Sequence, residues 1–138
     1  LKRVAMFFWQ KISLKLRLSL LFGLIFTGML SGFCYILYTQ FSKLQIAEFE
    51  NTLDLYKLDV GRYPDGQEGL QALVQAPASA GDRWRGPYLK KKIVPKDPWN
   101  NDYQYIFPGR HGSFDIVSLG ADGREGGEGE NKDVASWE

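Results

Sequence analysis

The densest cluster of side chains able to do chemistry lies in the last twenty residues of this 138-residue sequence, around Gly120, Asp122, Gly123, Glu125, Glu128, Glu130 and Asp133. Residues 119–138 carry six acidic and two basic side chains and include five glycines. Glycines let a backbone double back, so carboxylates distant in sequence can converge, and converging carboxylates repel unless a hard cation sits among them. Ca²⁺ suits such a set because it accepts carboxylate and carbonyl oxygens at variable geometry, whereas Mg²⁺ demands a near-regular octahedron. The spacing is not that of an EF-hand, since Gly123 follows Asp122 directly. A phosphate-cradling loop fits poorly too: there is no Gly-Lys-Ser/Thr, and the local charge repels phosphate. The competing reading is a disordered acidic tail. Trp137 argues against it, because a large aromatic near a chain end usually packs against something.

A second cluster is basic: Arg83, Arg85, Lys90, Lys91, Lys92 and Lys96, interleaved with Trp84, Tyr88 and Trp99. It superficially resembles a nucleic-acid surface. The acidity of the surrounding region favours a solvated loop whose aromatics anchor it to a core, and no nucleic-acid partner is expected. Catalysis finds little support. His111 lies in a Pro-Gly-Arg-His-Gly turn with no nucleophile–base motif around it, so an exposed turn residue is expected and no enzyme. Glu125, Glu128 and Asp133 could be paired as glycosidase carboxylates, but no apolar pocket to raise one of them is evident. A single Cys rules out an intramolecular disulfide, and a lone His makes a zinc or iron site improbable.

The elements that must position these residues divide by charge. The net charge of +1 is a sum of opposites: residues 1–47 hold six basic side chains (Lys2, Arg3, Lys11, Lys15, Arg17, Lys43) and no acidic one, leaving eleven basic and sixteen acidic in 48–138. Leu18–Tyr38 is 21 residues without a charge, about 31 Å as a helix, enough to cross a hydrocarbon core. A cleaved signal peptide would have a shorter apolar core and a small-x-small site, which does not occur before Phe41. Five basic residues precede the run and Lys43 follows it, placing the N-terminus in the cytoplasm. The expected organisation is a cytoplasmic basic segment 1–17, a membrane helix 18–38 and a domain 39–138 on the far side. Cys34 inside the run reads as a small buried hydrophobe, and Gly28-x-x-x-Gly32 has the spacing that lets a neighbouring helix approach.

Ile46, Phe49, Leu53, Tyr56 and Val60 recur at helical intervals with charged residues between them, so the helix continues as an amphipathic one that packs on the following domain. Gly61 and Pro64 end it. Asp65-Gly-Gln-Glu68 has capping-box spacing before Leu70, Leu73 and Val74, predicting a second helix of two to three turns closed by Pro77. Residues 76–88 read as loop. Tyr103, Tyr105 and Phe107, then Phe114, Ile116 and Ser118, alternate on either side of a Pro108–Gly112 turn, predicting a β-hairpin.

Taken in order, several motifs are similar to the major pseudopilin, or G-subunit, family of type II secretion systems. They are LDLYKLDVGRYP (53–64), EGLQALV (68–74), WRGPYL (84–89), VPKDPW (94–99), YQY (103–105), DIVSLGADGREGGE (115–128) and Ser136-Trp137. The resemblance covers residues 53–138 and implies an α+β, pilin-like fold: a long N-terminal helix, membrane-spanning and then amphipathic, whose outer half packs on a small antiparallel sheet. It implies a structural role in a periplasmic pseudopilus that promotes protein export across the outer membrane. The implied partners are other pseudopilins, further copies of the chain and inner-membrane secretion components. It further implies a Ca²⁺ ion in the C-terminal loop, held by the carboxylates of Asp122 and Asp133 and the backbone carbonyls of Leu119, Asn131 and Val134. That leaves Glu125, Glu128 and Glu130 solvated.

The N-terminus is expected to depart from the family. Members carry a basic leader, then Gly before Phe-Thr-Leu-Ile-Glu, where a prepilin peptidase cuts. Here Ala5-Met6 only imitates that site, with Gln10 in the glutamate position, and Lys11, Lys15 and Arg17 interrupt the apolar run; Gly32-Phe33 lies at the wrong end of it, with Leu37 in the fifth place. The alternative this raises is an unprocessed, anchored relative that caps, regulates or scaffolds assembly. A membrane-anchored enzyme or Ca²⁺-dependent carbohydrate binder ranks last.

Overall fold

The structure, a computed structural model, describes residues 13–138. The expectations resting on Lys2, Arg3, Lys11 and the Ala5-Met6/Gln10 pair lie outside the described residues. Helix α1 runs from Leu14 to Val60, 47 residues, and so starts one turn before the charge-free run. The chain divides into two compact units, the first ending at Leu37 and the second being Tyr38–Glu138.

In the first unit the helix turns its apolar side chains outward, with Leu24, Phe26 and Met29 each about 70% exposed. Its most apolar stretch has a mean hydropathy of 2.0 and no buried residue, which makes it long and apolar enough to cross a membrane. Hydroxyls in such a stretch need internal acceptors. The Thr27 hydroxyl donates to the Gly23 and Leu24 carbonyls and the Ser31 hydroxyl to the Gly28 carbonyl, all at 3.0 Å. Nothing else lies within 4 Å of the positions that side chains at Gly28 and Gly32 would take.

In the second unit the helical stripe read from the sequence is the core. Ile46, Phe49, Leu53, Tyr56 and Val60 are buried, against Leu70, Leu73, Leu89, Tyr103, Ile116 and Val134. Phe49 meets Tyr103 edge-on at 5.2 Å, and Tyr56 meets Tyr88 at 5.6 Å. Gly61, at φ +88°, ends the helix while its N–H still donates to the Lys57 carbonyl at 2.8 Å.

The second helix expected over 65–74 does not form. The capping box does: Asp65 Oδ1 accepts the N–H groups of Gln67 and Glu68, and Glu68 Oε2 accepts that of Asp65. Gly69 then sits at φ +54°, outside α-helical space, so the box opens a turn and a five-residue 3₁₀ helix, Gly69–Leu73. Leu70 and Leu73 are buried regardless. Residues 76–88 are loop apart from 3₁₀ turns over Ala78–Arg83, which kink at Gly81. The aromatics of the basic cluster are anchors, as read. The Trp84 indole N–H donates to the Ala72 carbonyl at 2.8 Å, the Tyr88 hydroxyl to Asp59 at 2.9 Å, and Trp99 meets Tyr38 edge-on at 5.6 Å.

The sheet has three antiparallel strands in the order β1 (Gln104–Ile106), β2 (Asp115–Ser118), β3 (Val134–Ala135). Gln104 pairs with Val117 and Ile106 with Asp115, closing the predicted hairpin. Tyr103 and Phe107 fall just outside it, so the ladder is shorter than the alternation implied. β2 also pairs with β3, Val117 with Ala135 and Ser118 with Val134. Every residue of β2 is buried. Ile116 joins the main core, while Val117, Leu119 and Ala135 form a second apolar cluster.

Candidate functional site

The acidic, glycine-rich segment leaves the end of β2 and returns as β3. It closes on itself where the Ala121 N–H donates to the Glu130 carbonyl at 2.8 Å. Closure requires glycine at two places. Gly120 is at φ +64°, and a Cβ there would lie 2.7 Å from the carbonyl carbon of Asn131; a Cβ on Gly127 would lie 2.6 Å from the Asn131 carbonyl oxygen. The Asn131 peptide is thus clasped between two glycines.

Of the five ligands implied by the family resemblance, Leu119 and Val134 are buried at the root of the loop, and Val134 pairs with Ser118, the neighbour of Leu119. Continuing that register sets Leu119 opposite Asp133. Asp133 is half-buried: its Oδ2 accepts the Gly126 N–H at 2.9 Å, whereas its Oδ1 is buried with no hydrogen-bond partner. Asp122 is exposed, and its Oδ1 accepts the Arg124 N–H at 3.1 Å within its own turn. Leu119, Asn131, Asp133 and Val134 are therefore gathered about one corner, while Asp122 is held in a turn of its own. Glu125, Glu128 and Glu130 are exposed, as expected. Among the described residues no three Asp, Glu, His or Cys side chains converge as a metal cluster.

The residues fit a hard cation on one observation in particular. A buried carboxylate oxygen without a donor is costly, and a cation is one of the few groups that meets it without a proton. The rest of the set, a second carboxylate and backbone carbonyls, is the oxygen donor chemistry that Ca²⁺ takes.

Beside the loop, a cavity of about 380 Å³ has a floor of Ile106, Val117 and Leu119 and a rim that includes Arg110, His111 and Trp137. His111 stacks on Trp137 with ring centres 3.8 Å apart, so the terminal aromatic does pack. His111 Nδ1 lies 3.2 Å from Asp115 Oδ2, and Asp115 also accepts the backbone N–H groups of Arg110 and His111. Burial raises the Asp115 carboxyl, but these donors more than offset it and leave the group below its ordinary value. His111 is thus a turn residue half-exposed to solvent, as read, with a structural task the sequence did not announce.

A second polar hub missed by sequence reading lies where α1 ends. Arg62 grips Glu68 with two parallel hydrogen bonds, at 2.8 and 2.7 Å, and Ser79 donates to the same carboxylate. The Arg62 bonds, opposed by burial and helped by Ser79 and the Asp65 N–H, pull the Glu68 carboxyl down to about 2.

The structure is similar to the crystal structure of the major pseudopilin from the type 2 secretion system of enterohaemorrhagic Escherichia coli. The two share 38% sequence identity and a TM-score of 0.57 over 67% of this chain and 80% of that one. A long N-terminal apolar helix with a small three-stranded antiparallel sheet, matched in this way, is a pilin-like fold. The family described as type II secretion system (T2SS), protein G, matches residues 38–137. Relatives named type II secretion system core protein G include one from Vibrio cholerae, 50% identical over 94 residues, and one from Pseudomonas aeruginosa, 46% identical over 100. The matches cover 67% and 70% of this chain, and 63% and 69% of the relatives' lengths. The chain belongs to the type II secretion system protein G family. Among the described residues one helix is long and apolar enough to cross a membrane, which fits a membrane-anchored member of the family.

Proposed function

We propose that this chain is a structural subunit of a type II secretion pseudopilus, anchored in the inner membrane with its folded domain in the periplasm, and that Ca²⁺ completes that domain. The likeness to the E. coli major pseudopilin carries the structural role. The charge split supports the orientation, since five basic and no acidic residues precede the apolar run and all sixteen acidic ones follow it. The buried, unpartnered Asp133 Oδ1 supports the ion. Leu119, Asn131 and Val134 would offer carbonyl oxygens, and Asp122 and Asp133 carboxylates. The ion would neutralise the loop and fasten the β2–β3 connection, a staple for a chain that has one cysteine and so no internal disulfide. Partners in this reading are further copies of the chain, other pseudopilins and inner-membrane secretion components, and no step is catalytic.

Two measurements test it. Chain supplied to a secretion-competent bacterium lacking its own protein G is expected to restore secretion and to crosslink into ladders. A chain that remains membrane-bound and monomeric, with secretion unrestored, would refute subunit assembly and favour a capping or scaffolding relative. For the ion, chelation is expected to lower the melting temperature of the full chain in detergent micelles, and Asp122→Ala to do so without chelator. The loss should track free Ca²⁺, amounting to about 2.7 kcal/mol from a hundredfold excess over Kd. No shift in either case removes Ca²⁺ from the proposal.

A further inference from the structure

The segment Asp97–Asn101 forms a turn fixed from inside. Asp97 is buried, its Oδ1 accepts the N–H groups of Trp99 at 3.1 Å and Asn101 at 2.7 Å, and its own N–H donates to the Asn101 carbonyl at 2.9 Å. From this turn two bonds reach the end of β2. Asp97 Oδ2 accepts the Ser118 hydroxyl at 2.7 Å, and Asn101 Nδ2 donates to the Gly120 carbonyl, also at 2.7 Å. Asn101 Oδ1 lies 3.5 Å from where a Cβ on Gly123 would be. Leu119 is therefore flanked on both sides by residues pinned to one distant turn, and the same amide lies along the corner that leads into Asp122.

We infer that Asn101, seated on Asp97, is a positioning residue for the cation loop: it fixes the corner from which the Leu119 carbonyl and the Asp122 carboxylate are presented. This rests on reading that loop as a Ca²⁺ site. Asn101 offers no ligand of its own here; it acts through the Gly120 peptide. Outer partners that orient a metal's ligands typically contribute about ten- to a hundredfold in affinity. Without the amide, Gly120 keeps its conformation only through the loop's own bonds, and the ligands must be ordered at the moment of binding.

The test is calorimetric titration of the full chain in detergent micelles with CaCl₂ alone, alongside urea unfolding in chelator. Asn101→Ala is expected to raise the Ca²⁺ Kd by about ten- to a hundredfold while moving the chelator midpoint little. Asn101→Ser, which keeps a shorter donor, should fall between it and the parent. Val60→Ala, a core truncation on α1, should lower the chelator midpoint yet leave Kd within about threefold of the parent, separating positioning from plain destabilisation. An Asn101→Ala affinity within threefold of the parent overturns the positioning role and leaves the ion site standing, as does an equal loss in Val60→Ala. A parent chain that binds no Ca²⁺ overturns the ion site itself, and the positioning role with it.

Discussion

Replacing Glu68 by Gln should weaken the domain at neutral pH and cease to matter in acid. In the parent, Glu68 accepts two bonds from Arg62, one from the Asp65 N–H and one from Ser79. Its carboxyl falls from an ordinary 4.5 to about 2, chiefly through the Arg62 bonds. At 1.36 kcal/mol per pH unit that drop corresponds to roughly 3 kcal/mol of preference for the charged form. Arg62 is about one-third exposed, so water screens part of it, and about 1–2 kcal/mol is the expected contribution. A carboxyl lowered in the folded state stabilises above the unfolded value and loses that stabilisation as pH falls through the folded one. The window is therefore pH 4.5 down to about 2. The assay is urea unfolding of both chains in micelles, followed by tryptophan fluorescence. Trp84 serves as a local reporter, because its indole is bonded to Ala72 in the segment just after Glu68. Other carboxyls titrate alike in both proteins, so the difference isolates Glu68. A gap of about 1–2 kcal/mol at pH 7 should close by about pH 2. Equal stability at pH 7, or a gap that survives at pH 2, would refute the account.

Phe49→Ala should cost about 3–5 kcal/mol in the same unfolding assay, because the ring is fully buried and its loss leaves Tyr103 facing a void. A cost below about 1 kcal/mol would mean that the core re-collapses. Gly120→Ala should lower stability by about 2 kcal/mol, since a Cβ meets the Asn131 carbonyl carbon at 2.7 Å in a backbone region that itself costs L-residues about 1 kcal/mol. It should also weaken Ca²⁺ binding by displacing the Asn131 peptide. Parent-like behaviour in both assays would contradict that close approach.

What could be read from the sequence followed from periodicity and charge. The α1 stripe was visible because five apolar residues at helical spacing stand out against charged neighbours, and those five are buried, with Ser42 and Thr52 beside them. The acidic loop stood out by composition, and family resemblance then chose Asp122 and Asp133 among its carboxylates. Shorter elements left no such trace. β3 is two residues long, too short to alternate, and its existence depends on pairing with β2 across the whole acidic loop. The capping box at Asp65 was correct as chemistry and wrong as a helix, because the positive φ at Gly69 was invisible in the spacing. Asp115 drew no notice beyond its place in the second predicted strand, yet it is buried and satisfied by a turn four and five residues back. Asn101 and Asp97 were passed over for a similar reason: their partners, Gly120 and Ser118, lie about twenty residues downstream, and only the folded chain brings them together.

The order of strands also sets an order of events. The central strand β2 gains its second partner from Val134 and Ala135, on the far side of the acidic loop. A chain emerging from the ribosome can assemble α1 and the β1–β2 hairpin, yet β2 keeps one bare edge until the whole acidic loop and the two residues of β3 beyond it have been delivered. A truncation before Val134 would leave a bare strand edge of β2 available to another chain.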